Sequence, residues 1–490
     1  MADEDETQSS KGTDSNAAPG LDDAGKATDR SDTDSEVARE TADYAIPTDR
    51  VQEVLLAINR GDERGLAHLL DELHPADVAD LMEQVGDSTR RLLLRFWGRE
   101  IDGEILSELD ESVRREVIAS LPAEVLGEAV RDLDSDDVVD LVEDLEEDVR
   151  SRLLDALTPS QQVDVRQALS YPEYSAGRLM QPEVVRAPED WTVGEAIDAM
   201  RVADEHLPEQ FYHVILVDPE ARPIGYVTLS RLLSSKRAVQ LRDITEPSFR
   251  TVPVDQEEAE VAYAFNQYHL ITLPVVDDEE RLVGAITIDD AMAVLDEEHE
   301  EDILRLAGVG EESSLSDRVA ETVSRRLPWL AVNLATAILA SLVIGLFDDA
   351  LAQIVALAIL MPIVASMGGN AGTQSLTVAV RAIATKDLTG ANLWRVVGRE
   401  FVVGLVNGLA FAVIMGAVAW SWFGDPRLGG VIAVAMIINL ACAALAGILV
   451  PVAMDKAGVD PALASGTFVT TVTDVVGFFA FLGLGVLVLL

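Results

Sequence analysis

One carboxylate stands within an apolar stretch of the chain, far in sequence from any basic residue. Asp474 follows Thr467, Thr470 and Thr471 at intervals of seven, four and three residues. Residues at these intervals share one face of a helix, so the three hydroxyls align with the carboxylate. A carboxylate inside a membrane is costly unless it faces water, a partner or an ion, and oxygen ligands of this kind suit Mg²⁺. The pattern predicts a polar path for a divalent cation.

A second polar segment runs from Met367 to Ser375 and reads Met-Gly-Gly-Asn-Ala-Gly-Thr-Gln-Ser. We place it at the inner end of a membrane span, where its glycines permit a broken or tightly packed helix end. Asn370, Thr373 and Gln374 then offer oxygen atoms to the ion path. The alternative for the glycines is a role in helix packing alone.

A third group is the acidic run from Asp289 to Asp302, just before the apolar part of the chain. Asp289 and Asp290 are predicted to open a helix that continues to Leu304. Like charges this close destabilise a helix unless cations screen them, and a divalent cation with oxygen ligands is the natural neutraliser. A solvated linker helix is the alternative interpretation.

The first two groups belong to five apolar runs, each about 20 residues long, which is the length that crosses a hydrocarbon core as a helix. The runs begin near Leu327, Ala350, Phe401, Gly429 and Ala462 and end near Phe347, Met367, Trp422, Val452 and Leu490. Buried core helices are the alternative, but runs with so little charge disfavour it. Arg325 and Arg326, together with the basic loop between the second and third runs, predict that the N-terminus is cytoplasmic and that Leu490 is outside.

The charge separates this apolar part from an acidic soluble part. The chain carries 85 acidic and 37 basic residues, for a formal net charge of −48, yet residues 327–490 hold only 8 acidic and 6 basic ones. Nucleic acid is excluded as a partner, because binding to phosphates needs a basic face. The scarcity of lysine favours an organism with a cytoplasm of high salt, which screens self-repulsion. A single cysteine, Cys442, excludes an intramolecular disulfide.

The soluble part divides into a tail, a helical region and a repeat of strands and helices. Residues 1–47 are rich in Asp, Ser, Thr and Gly, which predicts a disordered acidic tail without a signal peptide. From 48 to 171 the apolar residues recur at helical spacing, with Ser, Asp or Pro at the predicted helix starts. This pattern predicts an α-helical solenoid of short hairpins.

Between about 177 and 298, a pattern of strand, acidic turn and strand occurs twice at an offset of 59 residues. Asp218 in the first copy matches Asp277 in the second, and Gly225 matches Gly284. The pattern closely resembles a tandem pair of CBS modules, here 177–240 and 241–298. The resemblance implies an α/β fold for both copies.

CBS pairs often bind adenine nucleotides in the cleft between the modules, so the resemblance implies ATP as a candidate ligand. The family element Gly-x-x-Thr-x-x-Asp matches Gly284, Thr287 and Asp290 in the second copy. In the first copy the last position is Arg231, which weakens that half of the nucleotide site. A purely structural or regulatory module is the alternative.

The order of these parts resembles the MgtE family of magnesium channels. An acidic helical region, a CBS pair, a charged connecting helix and five spans follow one another from about Thr48 to Leu490. The most specific motifs are the segment from Met367 to Ser375 and the stretch from Asp460 to Asp474. The resemblance implies a homodimer in a lipid membrane, with the pore between its two membrane regions.

The resemblance also implies metal ligands. The family's intramembrane Mg²⁺-binding aspartate matches Asp474, and its inner-side aspartate before the last span matches Asp460. Cytosolic Mg²⁺ sites in this family draw on the connecting helix, called the plug helix. Its matching carboxylates are Asp290, Glu298, Glu301 and Asp302. Two positions depart from the family pattern, because Ala293 and His269 stand where carboxylates are found.

The predicted fold class is multi-domain: a cytosolic α-helical solenoid, an α/β CBS pair, a plug helix at 289–325 and an all-α membrane region of five helices at 327–490. The predicted function is a Mg²⁺-selective channel or transporter of the plasma membrane, gated by cytosolic Mg²⁺. A divalent cation exchanger coupled to Na⁺ or H⁺ and a membrane-anchored ion or nucleotide sensor are the alternatives. No nucleophile–base set or phosphate-cradling loop is present in the sequence, so we do not expect an enzyme.

Overall fold

The computed structural model describes residues 46–131, 133–143, 145, 147–202, 207–208, 211–246, 248–309 and 319–490. The predicted acidic tail lies almost entirely outside these residues. The described parts follow the predicted order, with a helical region first, then two small sheets with helices, then a long connecting helix and a bundle of apolar helices.

Short helices fill the N-terminal region. Ten are described, and their bounds are α1 Thr48–Arg60, α2 Glu63–Leu70, α3 Pro75–Gln84, α4 Asp87–Trp97, α5 Gly103–Ser107, α6 Glu111–Ser120, α7 Ala123–Ala129, α8 Ser135–Glu143, α9 Glu147–Ala156 and α10 Pro159–Ala168. Their apolar faces share one continuous core that includes Leu81, Leu106 and Leu141. Capping fixes their starts, as at Thr158, whose Oγ1 accepts a 3.4 Å hydrogen bond from the Gln161 amide.

Two three-stranded sheets follow, and each has the same topology. The strands are β1 Arg186–Pro188, β2 His213–Val217, β3 Pro223–Thr228, β4 Val252–Pro253, β5 Thr272–Val276 and β6 Leu282–Thr287. The first pair of strands in each sheet is parallel and the second pair is antiparallel. The accompanying helices are α11 Ala176–Leu179, α12 Val193–Val202, α13 Leu229–Ser234 and α14 Glu258–Tyr268.

The matched aspartates of the sequence repeat perform the same task in both sheets. Asp218 Oδ1 accepts hydrogen bonds from the amides of Glu220 and Arg222, at 3.0 and 2.7 Å. Asp277 Oδ1 accepts the equivalent bonds from Glu279 and Arg281, at 3.0 and 2.8 Å. An aspartate that bonds to amides two and four residues later closes a tight turn, which is why this residue type recurs there.

The connecting helix α15 spans Ile288–Ala307. It begins with a capping box in which Thr287 Oγ1 donates a 2.5 Å hydrogen bond to Asp290 Oδ2. It ends at Gly308, whose positive φ of 67° is a left-handed conformation that glycine adopts without strain. The helix therefore stops well before residue 325, the predicted end of the plug helix, and residues 310–318 lie outside the described part.

Five long apolar helices form the C-terminal part, and a short one joins the first two. Their bounds are α16 Val319–Gly345, α17 Asp348–Gln353, α18 Val355–Ala384, α19 Leu393–Phe423, α20 Pro426–Lys456 and α21 Pro461–Leu489. By length and composition, each of the five long helices is able to cross a membrane. Helix α20 is central in the bundle, because 61% of its most apolar stretch is buried. For α16, the buried share of the corresponding stretch is only 6%.

The end predicted for the second span is wrong. Helix α18 continues without interruption through the polar segment and ends at Ala384 rather than near Met367. The glycines serve close packing, because a Cβ atom at Gly368 would lie 2.3 Å from Asn439 Nδ2 on α20. A Cβ atom at Gly372 would lie 2.6 Å from Val469 on α21. The packing alternative thus accounts for these two glycines.

Candidate ion path and inner mouth

Asp474 lies on α21 and is half-buried in the membrane helices. The hydroxyls of Thr470 and Thr471 donate to the carbonyl oxygens of Gly466 and Thr467, at 2.8 and 2.7 Å. The hydroxyl protons are thereby committed to the helix backbone, and the oxygen lone pairs remain able to accept hydrogen bonds. Such acceptors suit the water shell of a hydrated cation.

Thr467 forms a contact that the sequence did not suggest. Its Oγ1 donates a 2.7 Å hydrogen bond to Asn333 Oδ1 on α16. The first and last long helices are therefore joined by two polar side chains at the depth where the predicted path runs. Asn333 has no local motif around it, so only the packing of α16 against α21 reveals its position.

The predicted polar residues of α18 share one exposed face. Asn370, Thr373 and Gln374 are exposed within the single chain, whereas Gly368, Gly372 and Ser375 are buried against the bundle. The exposed face also carries Ser366 and Thr377. These five polar residues lie at helical spacings of three, four and seven. This spacing is the signal in the sequence that could have added Ser366 and Thr377 to the predicted face.

The connecting helix contacts the membrane bundle at Asp460. Asp460 Oδ1 accepts a 2.7 Å hydrogen bond from the Ala462 amide and so caps the first turn of α21. Asp460 Oδ2 lies 2.8 Å from Arg305 Nη1, and Arg305 Nη2 lies 2.6 Å from Glu301 Oε2. Beside them, burial and the negative charges of Asp460 and Glu298 raise the pKa of Asp302.

A second acidic cluster lies where the helical region meets the second CBS copy. Burial and the nearby charge of Asp290 raise the pKa of Asp136 well above its usual value and that of Asp137 to about 7. Burial raises the pKa of Asp290 to about 6, although its hydrogen bond from Thr287 opposes the shift. Carboxylates from two separate domains therefore face one another and raise one another's pKa values.

Glu258, at the start of α14, extends this cluster. Burial raises its pKa to about 7, and the charges of Glu297 and Glu143 add to the shift. Two polar contacts join the helical region to the CBS pair nearby. Ser135 donates a 2.6 Å hydrogen bond to Glu183, and Glu143 forms an ion pair with Arg178.

The predicted metal residues thus fall into three places. Asp474 lies within the bundle. Glu298, Glu301 and Asp302 lie with Asp460 where the connecting helix meets the bundle, which is the predicted inner mouth. Asp290 lies at the interface with the helical region. Within the described residues, no three Asp, Glu, His or Cys side chains converge closely enough to form a ready metal site. The sequence missed Asp136, Asp137 and Glu258, because their proximity to the plug helix depends on how the domains dock.

The nucleotide element of the second CBS copy has structural roles in this chain. A Cβ atom at Gly284 would lie 2.7 Å from the Gln181 carbonyl oxygen, so the backbone approach there requires glycine. Thr287 and Asp290 bond to each other in the cap of α15. Asp290 also faces the carboxylates of α8, which disfavours the approach of a polyphosphate.

A bundle of five membrane-length helices with an internal carboxylate and a polar face, joined to a CBS pair, defines an integral membrane transport protein. Comparison with known families agrees. The MgtE model, described as a divalent cation transporter, matches residues 361–484; the MgtE intracellular N domain matches 73–174; and CBS domains match 176–237 and 241–297.

Curated relatives extend the likeness over most of the chain. The magnesium transporter MgtE of Thermus thermophilus is 34% identical over 439 residues, which cover 88% of this chain and 97% of the relative. The magnesium transporter MgtE of Bacillus subtilis is 27% identical over 431 residues, which cover 88% of this chain and 95% of the relative. The chain belongs to the MgtE family. Its relatives are transporters, which confirms the predicted family, fold class and lack of enzymatic function.

Among solved structures, the cytosolic domain of the Mg²⁺ channel MgtE in complex with ATP is 32% identical, with a TM-score of 0.46. The match covers 50% of this chain and 99% of that structure. The soluble part of a magnesium transporter is 21% identical, with a TM-score of 0.44, and the match covers 51% of this chain and 98% of that structure.

Proposed function

We propose that this protein carries Mg²⁺ across the plasma membrane along a path that includes Asp474, and that cytosolic Mg²⁺ closes the path. One observation carries the proposal. A single helix, α21, bears the intramembrane carboxylate and is capped by Asp460, the residue to which the connecting helix binds. Ion passage and its control therefore meet on one element.

The path is proposed to form between two copies of the chain. The polar face of α18, with Asn370, Thr373 and Gln374, is uncovered in one protomer. A polar stripe facing lipid is unfavourable, whereas the same stripe facing water or a second copy is not. A homodimer would place two such faces and two copies of Asp474 around a common route, where oxygen atoms can hold a hydrated cation.

The gate is proposed to work by charge neutralisation. At low Mg²⁺, carboxylates that face one another across the domain interface repel, as Asp137 does with Asp290 and Glu143 with Glu258, which favours separation of the helical region from the CBS pair. At high Mg²⁺, ions held through their water shells by Glu298, Asp302 and their neighbours favour the docked state. The ion shifts the population because it binds the two states with different affinity.

A flux measurement in proteoliposomes tests the transport step. Asp474→Asn is expected to abolish Mg²⁺ uptake, whereas Asp455→Asn, an exposed neutralisation at the end of α20, is expected to leave it intact. Uptake at the parent rate by Asp474→Asn would overturn the path. Mg²⁺, Mn²⁺, Co²⁺ and Ca²⁺ are each offered as cargo to determine selectivity.

Flux measured in the same proteoliposomes distinguishes a channel from the two alternatives, a coupled cation exchanger and a membrane-anchored sensor. A Na⁺ or H⁺ counter-gradient that drives uptake would indicate an exchanger, and the absence of any flux would indicate a sensor. ATP binding in the CBS cleft stays a prediction. Equilibrium dialysis with ATP, comparing the parent chain with Thr287→Val, measures whether the cleft takes a nucleotide.

A further inference from the structure

Arg305 lies between the connecting helix and the first turn of the last membrane helix. Its guanidinium bridges Asp460 at 2.8 Å and Glu301 at 2.6 Å, and only 17% of its side chain is exposed. Guanidinium groups bind carboxylates through several fixed N–H donors, so the contact is directional as well as electrostatic. The chain itself thus places a positive charge on a carboxylate at the inner mouth.

The surroundings hold the guanidinium at this position. Arg305 lies in the last turn of α15, where a cation is favoured by the helix dipole. The adjacent Leu306 packs into an apolar cluster with Leu376, Ala462 and Val469 from α18 and α21. The end of the connecting helix is therefore docked by apolar contacts and by the ion pair of Arg305 with Asp460, and both reach the helix that carries Asp474.

Among the described residues, carboxylates predominate at this contact. The Arg305 guanidinium pairs with Asp460 and Glu301, and the negative charges of Asp460 and Glu298 act on Asp302, where Arg305 and His299 act in the opposite sense. Arg305 binds Asp460 and Glu301 directly, whereas its charge reaches Asp302 at longer range. A divalent cation would then act on carboxylates that Arg305 does not contact, such as Glu298 and Asp302.

We propose that Arg305 is a tethered cation that holds the connecting helix on the inner mouth in the absence of Mg²⁺, so that Mg²⁺ completes a closure already begun by the chain. The inference rests on the proposed function, because it assigns a role to Arg305 within the same gate. It separates closure into two contributions. One is fixed and independent of the ion, and the other rises with the cytosolic Mg²⁺ concentration.

Inside-out membrane patches with Mg²⁺ in the pipette and a Mg²⁺-free bath at the cytosolic face isolate the fixed contribution. Arg305→Gln is expected to raise the open probability about threefold to tenfold, the range for losing a charged hydrogen bond at a partly buried site. Arg305→Lys keeps the charge and is expected to retain most of the closure. Arg399→Gln removes an exposed charge at the inner end of α19 and is the matched control.

A double-mutant cycle identifies the partner of Arg305. Asp460→Asn removes the charge but keeps an oxygen that can cap α21. If the two residues act through one contact, Arg305→Gln combined with Asp460→Asn opens the channel no more than the stronger single variant. Hydrogen exchange of residues 303–307 in the full chain, without divalent ions, reports docking independently of current and is expected to quicken by a similar factor.

The outcomes are distinct. Unchanged open probability and unchanged exchange in Arg305→Gln, while Mg²⁺ still closes the parent channel, would overturn the Arg305 proposal and leave the gate standing. An equal rise in Arg399→Gln would also overturn it, because the effect would then reflect general charge. A parent channel that Mg²⁺ fails to close would overturn the proposed gate, and the exchange measurement would still decide whether Arg305 docks the helix.

Discussion

Asn439 donates a 2.7 Å hydrogen bond from its side-chain amide to the carbonyl oxygen of Val364, at a fully buried position that joins α20 to α18. Glycines on two helices make room for this amide. A Cβ atom at Gly368 or at Gly477 would lie 2.3 or 2.8 Å from its nitrogen. The contact therefore fixes three membrane helices, including the one that bears Asp474.

Replacing Asn439 is expected to weaken this bundle. Asn439→Leu removes the hydrogen bond and presses a branched side chain against two glycines, which is expected to cost about 1–3 kcal/mol. Thermal unfolding in detergent micelles measures the loss. Asn407→Leu, at an exposed position of α19, is the control and is expected to unfold at the parent temperature. Equal temperatures for both variants would contradict the packing role.

Neighbouring glycines offer an unusually close comparison. Gly368→Ala is expected to destabilise the protein by about 1–3 kcal/mol, because its Cβ atom would overlap the Asn439 amide. Gly369→Ala meets nothing within 4 Å and is expected to be neutral or slightly stabilising. The same unfolding measurement compares the two. If Gly369→Ala proved the more damaging, the contact between α18 and α20 would be wrong.

The acidic end of the connecting helix is expected to set the sensitivity to Mg²⁺. Neutralising Glu298, Glu301 and Asp302 together is expected to raise the Mg²⁺ concentration for half-inhibition of the current by about tenfold, the equivalent of about 1.4 kcal/mol. The control neutralises three exposed acids in the turn between β5 and β6, namely Asp278, Glu279 and Glu280. An unchanged inhibition curve in the first variant would reject the sensing role.

Docking of the helical region is expected to depend on pH when divalent ions are absent. The pKa values of Asp137 and Glu258 are raised to about 7, so their protonated forms favour the docked state. A raised pKa gives stability that is present at low pH and lost as the pH rises through about 7. We therefore expect separation of the helical region from the CBS pair to increase as the pH rises from about 5 to about 7 and to level off above it, and Mg²⁺ to suppress this change.

Pulsed electron paramagnetic resonance between two spin labels measures the distance between the helical region and the CBS pair. Labels at Arg60→Cys and Arg201→Cys, both exposed, report the distance from α1 to α12 once Cys442→Ser has removed the native thiol. Asp137→Asn cannot ionise and is expected to flatten the pH response. A distance that shortens as the pH rises would have the opposite sign and would exclude repulsion as the driving force.

Features encoded locally could be predicted from the sequence. The five spans follow from runs of apolar residues, and the paired turns at Asp218 and Asp277 follow from an aspartate that bonds to its own neighbouring amides. Asp474 is conspicuous because a carboxylate in such a run is rare. The polar face of α18 can be predicted in part, since Asn370 and Thr373 lie in a motif and Ser366 and Thr377 lie outside it.

Features that depend on docking could not be predicted. The glycines at 368 and 372 are compatible with a helix end or with close packing, and only the presence of Asn439 and Val469 opposite them decides for packing. The opposition of Asp137 to Asp290 and the pairing of Arg305 with Asp460 join residues that are distant in the sequence. No local periodicity encodes such contacts, because they arise from the mutual placement of whole domains.

The continuity of α21 has a thermodynamic consequence. Asp460 and Asp474 are separated by 14 residues of helix, about 21 Å along its axis, and its proline is confined to the first turn. Such a rod couples its two ends in both directions. If docking of the connecting helix lowers the affinity of the Asp474 site for an ion, occupancy of that site must weaken docking by the same factor. The cargo is then also an effector, and a channel filled from outside would resist its own closure.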